Sequence, residues 1–242
     1  MGSITTSILL GLLAAAANAF GGAVIVQKDW DQRYLRYFIA VGAGFMLSTS
    51  LLEMLPESIR VSGPSAPLLL LAGYFIVHFF EHTVTAHFHF GEETHKEEFS
   101  DGHRVYSVIF GLVIHTFFDG VAIASGFLVS SSLGMIIFLA ILLHKLPEGF
   151  TVASLLLAAG KTRGGALTGS ALLGAATLGG VLLMWLLKAT LAYTLPLSAG
   201  VTLYVAASDL IPEVNHEPGV RISVVVFLGV ALLFMMHRLF HL

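Results

Sequence analysis

Long apolar runs broken at short polar marks make up most of this chain. A helix needs roughly 20 residues to cross the hydrocarbon of a bilayer. On that measure the runs predict spans at 4–26, 34–56, 67–88, 105–129, 133–158, 164–187, 192–212 and 219–241. The breaks between them are Lys28-Asp29-Trp30-Asp31, Pro64 to Pro67, Gly91 to Gly102, Ser130-Ser131-Ser132, Lys161 to Arg163, Pro196 and Pro218. The first run has no basic segment ahead of it and leads into further spans, so it reads as a retained helix rather than a cleaved signal. The expected fold is an all-α polytopic membrane protein of eight transmembrane helices, forming one transmembrane domain over 1–242.

Composition removes the competing classes. Of 242 residues, 56% are hydrophobic and 11% are charged, where soluble domains carry about 25% charged residues. So few charges cannot cover a soluble surface of this size, and lipid must be the main solvent. The net charge of -3 comes without basic clusters, which argues against a nucleic-acid partner. With no cysteine there are no thiolate metal sites or disulfides.

Loop charges orient the chain. Lys28, Arg33, Arg36, Lys96, Arg104, Lys161, Arg163 and Arg221 fall in the odd-numbered loops, against Arg60, Lys188 and Arg238 on the other side. The positive-inside bias then puts both termini on the extracytoplasmic side and a polar loop, about 88–103, in the cytoplasm. The expected location is the cell (inner) membrane.

A repeat runs through the halves. Gly44 to Glu57 reads GFMLSTSLLEMLPE and Gly200 to Glu213 reads GVTLYVAASDLIPE. One constant offset aligns Gly44, Leu47, Pro56 and Glu57 with identical residues, sets Glu53 on Asp209, and pairs Gly73 with Gly229. The second span runs in-to-out and the seventh out-to-in. The expectation is therefore an inverted repeat of helices 1–3 and 6–8 in a 3+2+3 arrangement, the pattern of secondary transporters.

Polar residues inside the spans carry the chemistry. The fourth span holds His115-Thr116-Phe117-Phe118-Asp119-Gly120 and the fifth holds His144-Lys145-Leu146-Pro147-Glu148-Gly149. Each sets an imidazole and a carboxylate at i and i+4, on one helix face. The two helices share a very short loop, so they are antiparallel neighbours. Asp119 and His144 then lie at similar depth, with His115 and Glu148 one turn deeper, roughly 15–20 Å into the bilayer at about 1.5 Å per residue. Two nitrogens and two carboxylates suit a borderline divalent cation: Zn²⁺ first, with Fe²⁺ or Mn²⁺ also fitting. Pro147 removes one helix hydrogen bond and frees the Leu143 carbonyl beside these groups.

Further polar residues grade along a path. Glu53 and Glu57 are candidates for an inlet at the outer mouth, and Asp209, Glu213 and His216 for an outlet at the inner mouth. His78, Glu81 and His82 sit at the inner part of the third span, with His78 and His82 on one face as candidate outlet ligands. His237 and His241 read as interfacial residues without a role.

These residues resemble the ZIP (Zrt/Irt-like) metal transporters, through HTFFDG, HKLPEG, LLEMLPE and SDLIPE in an eight-span order with a His-bearing third loop. The resemblance covers nearly the whole chain. It implies uptake of zinc, and often iron, manganese or cadmium, into the cytoplasm, with His115, Asp119, His144 and Glu148 as ligands and Met46 as a further one. It also implies a homodimer and an elevator-like movement of the first, fourth, fifth and sixth helices. One departure stands out. Where some members hold a second metal with a carboxylate after the fifth-span His and another on the sixth span, this chain has Lys145 and an acid-free sixth span. Lys145 is then a candidate charge substitute for the second metal, and a single-metal site is expected. No Walker-type glycine loop is present, so ATP is not the direct driver. The rival reading is an intramembrane zinc hydrolase, against which stands the lack of HExxH; the expectation is that the protein is not an enzyme.

Overall fold

A computed structural model describes residues 3–27, 32–83, 102–215 and 220–240. Every element among the described residues is helical: α1 (Ser3–Gln27), α2 (Gln32–Thr49), α3 (Leu55–Ser62), α4 (Ala66–Thr83), α5 (Gly102–Val129), α6 (Ser131–Ala158), α7 (Arg163–Leu186), α8 (Leu191–Tyr204), α9 (Ile211–Asn215) and α10 (Val220–Phe240). Seven stretches of these residues are long and apolar enough to cross a membrane, as expected of a polytopic membrane protein. One of the seven, Arg36–Thr83, runs for 48 residues, more than twice what one crossing needs. It is broken at Gly63, whose φ of 63° lies in the left-handed region that glycine alone enters without strain. A short 3₁₀ turn, Gly63–Ser65, then carries the chain into α4. The predicted polar loop, about 88–103, lies outside the described residues up to 101 and runs into α5 from Gly102, and His216 also lies outside them.

Two spans run past their predicted ends, 56 and 212, and Pro196, read as a break, lies inside α8. The helix predicted to stop at 56 continues through α3 to Ser62, because Pro56 sits in the first turn of α3, where a missing N–H costs little. Ahead of each proline the helix widens to a π-helical turn, Ser50–Met54 and Val205–Leu210. The Leu55 N–H donates to the Ser50 carbonyl and the Ile211 N–H to the Ala206 carbonyl, each five residues back. The wider turn removes the clash that a proline ring would make with the carbonyl four residues before it.

Helix α6 lies at the centre: 72% of its most apolar stretch is buried, against 11% in α10, which faces outward. α1 packs on α6 and α7, α5 on α6 and α7, α2 on α10, and α4 on α8. The buried face of α1 is Ser7, Gly11, Ala14, Asn18, Gly21 and Gly22, a stripe of small residues that lets backbones approach in a medium offering no hydrophobic drive between helices. The α2–α10 and α4–α8 contacts share a register. A Cβ on Gly44 would strike the Val226 carbonyl and one on Gly229 the Val41 carbonyl. In the other pair, Gly200 meets the Leu70 carbonyl and Gly73 the Leu197 carbonyl. The offset that relates Gly44 to Gly200 relates every member of the first pair of contacts to a member of the second.

Candidate metal centre

Local structure brings the two motif helices together. Ser130 links α5 to α6 in extended conformation, and its hydroxyl caps α6 by accepting from the Leu133 N–H at 3.1 Å. So short a link makes the helices antiparallel neighbours. Glycines beside the motifs then set the depth of packing. A Cβ on Gly120 would meet the Thr177 carbonyl of α7, and one on Gly149 the Asn18 carbonyl of α1. Both motif helices are thus gripped from behind by backbone contact, which holds the face carrying the polar groups in place.

That face carries one cluster. His115, Asp119, His144 and Glu148 are buried, and each offers a donor atom within 4.8 Å of the others. Asp119 is the hub. Its Oδ2 lies 3.3 Å from His115 Nε2, 3.2 Å from His144 Nε2 and 2.6 Å from Lys145 Nζ. Lys145 also donates to Glu148 Oε2 at 2.7 Å. Its ammonium therefore bridges both carboxylates, a wider role than the one expected from its place after His144. His144 Nδ1 lies 3.3 Å from the Ala140 carbonyl, the contact that turns Nε2 toward the cluster. Asp119 Oδ1, Glu148 Oε1 and both nitrogens of His115 make no hydrogen bond. Donors around a tetrahedral Zn²⁺ at about 2.0–2.2 Å stand about 3.3–3.6 Å apart, so small side-chain adjustments convert this cluster into such a shell.

The remaining predicted residues separate into groups. Met46 is fully buried in the apolar cluster that contains Ala140, with Leu143 packed against it, next to His144 along the helix. Glu57 pairs with the exposed Arg60 one turn on. Glu53 pairs with His237, whose Nδ1 is 2.7 Å from Glu53 Oε1. This corrects the reading of His237 as a residue without a role: the packing of α10 on α2 brings it to the acid. Asp209 is buried in the second π-helical turn, and Glu213 lies partly buried in α9. His78 and His82 stack on one face of α4 with ring centroids 4.0 Å apart. None of these lies in the four-residue cluster. Asn18 escaped the sequence reading. It is fully buried on α1, and neither amide atom is hydrogen-bonded. A single amide in the middle of an apolar run was the available signal.

A family model described as ZIP Zinc transporter matches residues 2–108 and 91–237. Zinc transporter ZIP13 of Pongo abelii is 30% identical over 134 residues, covering 50% of this chain and 39% of that protein. Zinc transporter ZIP10 of Mus musculus is 31% identical over 119 residues, covering 47% of this chain and 14% of that protein. Zinc transporter ZIP9-B of Xenopus laevis is 22% identical over 266 residues, covering 89% of this chain and 87% of that protein. The aligned part is thus well under half of the ZIP13 and ZIP10 relatives' own lengths. Since the family pattern runs from residue 2 to residue 237 and takes in both motif helices, the chain belongs to the ZIP zinc transporter family.

Proposed function

We propose that this protein carries divalent transition-metal cations, zinc foremost and iron, manganese or cadmium as further cargo, across a membrane into the cytoplasm. The observation that carries this is the buried convergence of His115, Asp119, His144 and Glu148 within 4.8 Å. Ionisable groups at such depth are costly unless they serve a pathway or pair with one another. Four donors of two chemical kinds are the shell a borderline cation takes.

The arrangement we infer is eight crossings in a 3+2+3 order. The 48-residue stretch then crosses twice, turning at Gly63. Helices 1–3 and 6–8 form an inverted repeat around α5 and α6, supported by the matching glycine contacts and the two π-helical turns. Both termini face outward, in the cell (inner) membrane, and a homodimer is the assembly we expect. Alternating access delivers the metal past Glu53 and Glu57 to the centre, with Met46 alongside, and releases it toward Asp209, Glu213, His216, His78 and His82. Membership in a family of transporters favours this reading over the intramembrane hydrolase.

Lys145 makes the centre a one-metal site. Its ammonium bridges Asp119 and Glu148 at 2.6 and 2.7 Å, supplying in fixed form the charge a second cation would bring. Metal must then displace or share that ammonium, while its own ligands are deprotonated, so binding weakens as pH falls. Zinc uptake into proteoliposomes is expected from the full chain and is lost in His144→Ala/Glu148→Ala. Uptake at an unchanged rate in that variant would refute the site. Metal titration should find one tight ion at the centre; two tight ions that both vanish on Glu148→Ala would refute the role of Lys145.

A further inference from the structure

Helix α6 ends where Gly160 turns left-handed, with φ at 74°. The Lys161 N–H then donates back to the Leu156 carbonyl at 2.9 Å, and Thr162 caps α7 by accepting from the Gly165 N–H at 3.1 Å. A link this tight fixes Lys161 at the mouth of a cavity of about 410 Å³ between α5, α6 and α7. Ile109, Leu156 and Leu172 line it as an apolar wall. Leu172 lies nine residues into α7, so the cavity reaches roughly 13 Å inward from the link at about 1.5 Å per residue. The mouth is open at two glycines. A Cβ on Gly160 would meet nothing within 4 Å, and one on Gly165 would meet only the link itself, the Thr162 hydroxyl at 3.5 Å and the Lys161 Cβ at 3.7 Å.

Charge and apolar surface divide along this cavity. Lys161 and the neighbouring Arg163 stand at its polar end, and the sequence has no acid between Glu148 and Asp209 to offset them on α6 or α7. The inner end is apolar, and Leu172 is exposed there. A basic mouth above an apolar slot between membrane helices matches an anionic phospholipid, with its headgroup outward and an acyl chain lying inward. A free anion gains nothing from the apolar wall, and a zwitterionic lipid gains less from the two bases.

We propose that this cavity binds one anionic phospholipid, with its phosphate at Lys161 and Arg163 and an acyl chain along Ile109, Leu156 and Leu172. The site is separate from the His115–Glu148 centre and rests neither on transport nor on which way the chain faces. Ile109 lies six residues before His115 on α5, and Leu156 lies eight after Glu148 on α6. The lipid therefore braces the same ends of both motif helices, at a place where the protein's own side chains leave space between them.

The test is native mass spectrometry of the full chain, released from micelles that hold dioleoyl phosphatidylglycerol and dioleoyl phosphatidylcholine in equal amounts. One phosphatidylglycerol should be retained in preference, and a large excess of inorganic phosphate should not displace it. Lys161→Gln/Arg163→Gln should weaken that retention by about tenfold, since each base near the headgroups contributes separately. Gly165→Phe, which fills the mouth and leaves both bases, should abolish it. Lys188→Gln/Arg238→Gln, at the opposite ends of the spans, should change nothing. Gel filtration confirms that each variant is folded. Equal retention of the two lipids, displacement by phosphate, or retention that survives Gly165→Phe overturns the site. A smaller oligomer on Gly165→Phe would give the cavity to a second copy of the chain and overturns it too. None of these outcomes touches the central reading, and absence of zinc uptake with lipid retention intact would fail the transport reading alone.

Discussion

The centre on α5 and α6 and the two acid-bearing ends of the repeated segments handle buried charge in different ways. At the centre, one ammonium and two imidazoles surround two carboxylates, all at or near zero exposure. At the end near α10, Glu53 shares its charge with a His237 that is half exposed, at 51%. Glu57 likewise meets an Arg60 that projects outward, 72% exposed. Water and salt attenuate the second kind of pair, and nothing attenuates the first. Position in the bundle, more than residue type, therefore decides what each charge contributes.

Removing Lys145 should break this contrast most severely. Lys145→Ala leaves Asp119 and Glu148 buried without their ammonium, a change that costs about 3–5 kcal/mol when one partner of a buried pair is lost. The melting midpoint of the purified variant should fall sharply, and added Zn²⁺ should recover more of it than in the unaltered protein. An unchanged midpoint would mean that the bridge is not a structural charge.

Next in size come the helix contacts that position the centre. A Cβ on Gly180 would strike the Phe117 carbonyl, whereas one on the adjacent Gly179 would meet nothing within 4 Å. Gly180→Ala should therefore destabilise by about 1–3 kcal/mol through overpacking and also lower zinc uptake, since Phe117 lies between His115 and Asp119. Gly179→Ala should do neither. Equal effects at both positions, read by denaturant titration and uptake together, would remove backbone approach as the determinant.

Smaller effects belong to the ends. His237→Gln removes a half-exposed ion pair and should cost under about 1 kcal/mol, falling further in high salt. Arg60→Ala should leave the melting midpoint where it was, because a guanidinium that projects into solvent contributes little. A large loss in either variant would place these pairs with the centre instead of apart from it.

Much of this was legible along the chain. The spacing of His115 and Asp119, and of His144 and Glu148, was enough to place four donors on two facing surfaces, because helix periodicity and a very short link at Ser130-Ser131-Ser132 leave little choice of geometry. The GFMLSTSLLEMLPE and GVTLYVAASDLIPE segments likewise announced corresponding structures, down to the proline that each π-helical turn precedes. Other features gave no linear signal. The widened turns depend on carbonyls four and five residues back. The His237–Glu53 pair joins residues 184 positions apart. Asn18 gave only the faint signal of a lone amide in an apolar run until α1 was placed against Gly149.

By itself the sequence determined the solvent, the helices and the identity of the central donors. These follow from composition and from periodicities fixed by backbone geometry. Only the tertiary structure decided that Lys145 reaches both carboxylates and that His237 has a partner. The physical reason is common to both. A charge inside a membrane protein is defined by what faces it across a helix interface, and close glycine contacts, not local sequence, set that register.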